Sequence, residues 1–148
     1  MTIDYDDPAI EEQWCAERQA EVGAYLKREG VTHGRIGEWP AWHVAPYVSV
    51  WAIESAHHPE WVGWWVLCGD LPTDYVSADA IKHPRDAIFA IAQRWRDAAE
   101  LMARGETHPE FTVGAQDSGK ELAPLLKSRA ATLIAWANDE QLWASVAL

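Results

Sequence analysis

The chain has 148 residues, 49% of them apolar, which suits one core of ordinary domain size and is too many for a disordered tail. Twelve basic against 23 acidic side chains leave a formal charge of −11, so neither nucleic acid nor an anionic membrane is an expected partner. Ten tryptophans need burial, stacking or a partner to cover them.

The amino terminus is acidic and lacks the basic start and apolar run of a secretory signal. No later stretch approaches the ~18 uninterrupted apolar residues of a membrane span, so a cytoplasmic protein is expected. Asp7-Pro8 reads as a helix cap followed by proline at the first helical position. Ile10, Trp14, Val22 and Leu26 then recur at helical spacing until Gly30. Glu11 and Glu12 at its start, with Lys27 and Arg28 at its end, complement the helix macrodipole. Glycines, Pro40 and Pro46 break the stretch 34–46, which reads as an ordered loop containing Trp39-Pro40-Ala41-Trp42-His43.

Two antiparallel strands follow, Tyr47 to Glu54 and Trp61 to Cys68, joined by a polar segment at 55–60. The second strand shows no polar alternation, so both of its faces are expected to be covered. A third short strand is weakly signalled at Tyr75 and Val76. Pro84 opens a helix carrying Ile88, Ile91, Trp95, Ala98 and Met102, ended by Gly105. A last helix starts near Glu121 with Pro124 in its first turn, and Asn138 and Asp139 cap a short terminal turn with Leu142 and Trp143. The expected fold is α+β: one domain over residues 1–148, with a small antiparallel sheet of two to four strands packed with three main helices.

Acidity belongs to the first half: residues 1–30 hold three basic and eight acidic side chains, residues 31–80 one and six, and residues 81–148 eight and nine. Six tryptophans (39, 42, 51, 61, 64, 65) lie between Glu38 and Asp74, beside His43, His57, His58, Asp70 and Asp74. In Gly69-Asp70-Leu71-Pro72-Thr73-Asp74-Tyr75 the glycine and proline imply a sharp turn bearing two carboxylates and a hydroxyl. Such carboxylates against tryptophan can work as acid and base, or simply satisfy loop amides. His43 is the best candidate base, although a histidine between Trp42 and Val44 is also an ordinary packed residue. Adjacent His57 and His58 suit no shared metal, and no zinc spacing, nucleophile elbow or phosphate cradle is present. No metal or cofactor is therefore expected. Cys15 and Cys68 form no CxxC pair and read as reduced, buried thiols.

The blocks Gly37-Glu38-Trp39-Pro40-Ala41-Trp42-His43-Val44-Ala45-Pro46-Tyr47-Val48-Ser49-Val50-Trp51-Ala52-Ile53-Glu54, Gly63-Trp64-Trp65 and Gly69 to Tyr75 resemble those of a bacterial domain-of-unknown-function family. Its members are small, acidic, stand-alone proteins that also share a Trp-Cys near the start and Trp-Ala-Asn-Asp near the end. The resemblance spans nearly the whole chain and implies no reaction.

Two readings of function stay open. The first is a non-catalytic binding protein, of the toxin-neutralising or immunity kind, whose acidic tryptophan-rich face takes a basic or cationic protein partner. Its candidate residues are Glu38, Trp39, Trp42, His43, Trp64, Asp70, Asp74 and Tyr75. The second is a small hydrolase or lyase that uses Asp70, Asp74 and His43 in a pocket walled by Trp39, Trp42 and Trp64. A homodimer through an apolar sheet face is the plainer alternative use of that surface.

Overall fold

The computed structural model describes residues 3–106, 108–109 and 119–144, and the chain divides into two compact units, residues 1–84 and 85–148. The first unit holds helix α1 (Pro8–Arg28) and four strands: β1 (Trp42–Val44), β2 (Val48–Glu54), β3 (Val62–Gly69) and β4 (Leu71–Ser77). They form one antiparallel sheet in chain order, β1-β2-β3-β4. From the unit boundary onward come α2 (Pro84–Ala103), α3 (Gly119–Asn138) and the single turn α4 (Glu140–Trp143). The architecture is α+β, as the order of helical and strand periodicities implies.

Helix α1 starts where the sequence places it: the Asp7 carboxylate accepts the Ala9 N–H, and Pro8 occupies the first turn. Its C-terminal end turns through Gly30 at φ 67°, a left-handed conformation that glycine adopts at little cost. Its buried residues Trp14, Cys15, Val22, Tyr25 and Leu26 face the sheet. There Val22, Tyr25 and Leu26 join Trp51, Ile53, Val66 and Cys68 in one apolar cluster. The ladder explains the membership, because Trp51 pairs with Val66 and Ser49 with Cys68, and directly paired residues share a face. On the other face Val50 pairs with Leu67 and Ala52 with Trp65. Val50, Leu67 and Trp65 are all buried, so β3 is covered on both sides.

Two stretches depart from the sequence expectation. Part of the expected loop 34–46 is an edge strand: Trp42 pairs with Val50, His43 with Ser49 and Val44 with Val48. Ahead of it Ile36 bridges Ile53. Proline is compatible with these positions because Pro40 and Pro46 flank the short strand instead of interrupting its ladder. The stretch 71–77 is likewise a full strand on the opposite edge of the sheet, not an extended turn, and Pro72 sits where an edge strand tolerates a missing N–H.

In the second unit, Ile88, Ile91, Trp95, Ala98 and Met102 of α2 are buried as their spacing implies, and Gly105 at φ 78° follows the helix. Helix α3 begins at Gly119, so Pro124 falls in its second turn and not its first. Asp139 caps α4 by accepting the Gln141 N–H, and the Trp143 indole N–H donates to the Trp136 carbonyl at 2.9 Å.

Candidate functional site

The structure separates the candidate residues into distinct places. His43, on β1, points to the α1 side of the sheet. Its Nε2 lies 3.1 Å from the Glu11 carboxylate, its ring stacks on Trp14 with centroids 6.2 Å apart, and Trp39 meets it edge-on at 5.4 Å. Trp64 and Tyr75 also come together, edge to face at 5.4 Å, with Tyr25 edge-on to Tyr75 at 5.7 Å. Both are half-buried and pack against the α1–sheet core. Burial, and the Asp74 and Glu29 charges after it, push the Tyr25 phenol above its ordinary value. These are packing contacts between α1 and the sheet, partly open to solvent at Trp39.

The proposed acid–base group is not assembled. Asp74 pairs with Leu67 while His43 pairs with Ser49, which puts the two on opposite faces of the sheet. They also stand on its opposite edges, three strand spacings or about 14 Å apart at the backbone. Asp74 is 3% exposed and its Oδ1 accepts the Tyr75 N–H. Asp70 is exposed in the β3–β4 turn, where its own N–H donates to the Tyr47 carbonyl. Trp42 is buried on the Asp74 side of the sheet. The hydrolase arrangement of Asp70, Asp74 and His43 in one pocket between Trp39, Trp42 and Trp64 does not form as a unit: the sheet stands between His43 and Asp74. The two thiols offer no nucleophile either, since burial pushes both Cys15 and Cys68 up to about 11. Among the described residues no group of three or more His, Cys, Asp or Glu side chains is placed to hold a metal ion.

A groove of about 510 Å³ opens at the other end of β2, lined by residues that include Arg35, Ile36, Glu38, Glu54, Glu60 and Trp61. Local backbone constraints build it. The Ile36–Ile53 bridge brings the chain before β1 against β2, and the β2–β3 connection is tied back to the end of β2 by the Glu60 N–H on Glu54 and the Ser55 N–H on the Trp61 carbonyl. Glu54 is the fixed element. Its carboxylate accepts the Glu60 N–H at 3.0 Å and the Arg35 N–H at 3.2 Å, and these two bonds hold it below the usual carboxylate range. Trp61 is 68% exposed and carries His58 stacked at 5.2 Å.

Of the candidate residues read from sequence, Glu38 lies in this groove, while Trp39 is 48% exposed beside His43. Sequence reading passed over Arg35, Glu54, Glu60 and Trp61 as site residues, and Glu11 as the partner of His43. Trp61 did carry a signal, an indole at the border of a polar hairpin tip. Glu11 carried only its helical position, three residues before Trp14, and nothing local connects it to residue 43.

A family model described as a domain of unknown function, DUF4826, matches residues 8–143. No curated protein and no solved structure matches the chain. Among the described residues no helix is long and apolar enough to cross a membrane.

Proposed function

From the premise that the chain belongs to the DUF4826 family, whose description carries no activity, we propose that it is a non-catalytic binding protein. Its acidic, tryptophan-bearing groove takes a basic segment of a protein partner. The observation that carries this reading is the combination at 35–62: three glutamates, one of them held ionised by backbone donors, around an indole with more than half of its surface in water. An exposed tryptophan beside carboxylates supplies both halves of a cation-binding interface, apolar area and favourable charge. The acid–base alternative has less to support it, because His43 and Asp74 stand on opposite faces of the sheet.

The experiment titrates a labelled Lys/Arg-rich peptide against the full chain and against two charge-matched variants. Glu60→Lys alters the groove, whereas Glu12→Lys alters an exposed position on α1. Saturable binding that is lost by Glu60→Lys and kept by Glu12→Lys is the expected result. Absent binding, or equal loss in both variants, overturns the reading, because net charge alone would then account for any attraction.

A further inference from the structure

We propose that the groove is a guanidinium site whose resident occupant is the chain's own Arg35, and that an arginine of the partner displaces it. The inference rests on the binding reading just given and names the chemistry of its anchor.

Arg35 is the only lysine or arginine between residues 31 and 80, a stretch with six acidic side chains. Three of those six, Glu38, Glu54 and Glu60, line the same groove as Arg35. The one lysine or arginine of this stretch thus sits with half of its anions. Its hold is loose: Arg35 Nη2 is 3.8 Å from Glu54 Oε2, at the far limit of an ion pair, and the side chain is 87% exposed. The carboxylate it touches is not loose, being fixed by two backbone N–H donors and only 19% exposed. Gly34 keeps room for that carboxylate, since a Cβ there would meet Glu54 Oε1 at 2.5 Å. A rigid acceptor with a weakly held, solvent-facing donor is suited to exchange that donor for a better placed one.

Trp61 selects the kind of cation. His58 occupies one face of the indole, which leaves the second face for an incoming group. A guanidinium is planar, stacks on an aromatic ring and bonds a carboxylate in its own plane. An ammonium bonds a carboxylate but has no plane with which to stack flat on the ring, and it pays more for losing its water.

Otherwise identical labelled peptides carrying arginine or lysine at every charged position test this by anisotropy titration of the full chain. The arginine peptide is expected to bind about tenfold tighter than the lysine peptide, with Trp61→Ala removing that preference. Arg35→Ala is expected to tighten arginine-peptide binding about threefold, because it removes an internal competitor. If Arg35→Ala weakens binding, or the two peptides bind alike while Glu60→Lys still abolishes binding, the displacement proposal falls and the broader binding reading stands. If neither peptide binds the unmodified chain, both fall together.

Discussion

Ser49 shows how a single polar side chain is accommodated in an apolar layer. It is fully buried, yet its hydroxyl accepts the Trp51 indole N–H at 2.9 Å and donates to the Cys68 carbonyl at 3.1 Å, with the Cys68 sulfur 3.3 Å away. Ser49→Ala strands a buried indole N–H and should cost about 1–3 kcal/mol in urea denaturation. The double variant Ser49→Ala/Trp51→Phe should cost less than the sum of the singles, because the N–H left unpaired in the first is absent from the second. The neighbouring thiol gives a pH prediction. Burial raises Cys68, and likewise Cys15, from 9.0 to about 11. Below pH 9 both folded and unfolded chains keep these thiols protonated and the stability is intact. Above it the unfolded chain ionises first, so stability falls as pH rises from about 9 towards 11. Denaturation midpoints across that window check the sign, and Cys68→Ala combined with Cys15→Ala should flatten the decline.

At the scale of elements, the β3–β4 turn shows why one strand was legible and its neighbour was not. Strand β3 announces itself by an unbroken apolar and aromatic run. Strand β4 begins Leu71-Pro72-Thr73-Asp74, residues that in isolation favour turns, and it is extended because the β3 ladder supplies its hydrogen bonds. Propensity yields here to a non-local partner. Gly69 makes the reversal feasible. It sits at φ 146°, and a Cβ on it would collide with the Tyr47 backbone carbonyl. Gly69→Ala should therefore destabilise the fold by about 2–3 kcal/mol or more, read from the shift in denaturation midpoint at unchanged slope. The same physics hid β1, three residues between two prolines that become a strand only because β2 lies alongside.

For the molecule as a whole, the charge of −11 acts on association. Binding of a basic peptide should weaken steadily as salt rises, because the steering charges are solvent-exposed and screened over roughly 10 Å at 0.1 M. A residual affinity at high salt that disappears with Trp61→Ala would separate the indole's contribution from the charge. Affinity independent of salt would count against the acidic groove as the recognition surface.

The amino-acid sequence by itself determined what is set by neighbours along the chain. It specified the Asp7-Pro8 start and Gly30 end of α1, the apolar stripe of α2, the two-sided burial of β3, the α+β class and the acidity of the first half. Each follows from a periodicity or a cap that spans only a few residues. Only the tertiary structure decided which distant side chains meet. Strand order and register put His43 with Glu11 and away from Asp74, and brought Arg35, Glu54 and Trp61 to one groove. Periodicity assigns a residue to a face of its own element, whereas a site requires knowing which strand lies beside which, and that is settled by ladder pairing between segments far apart in the chain.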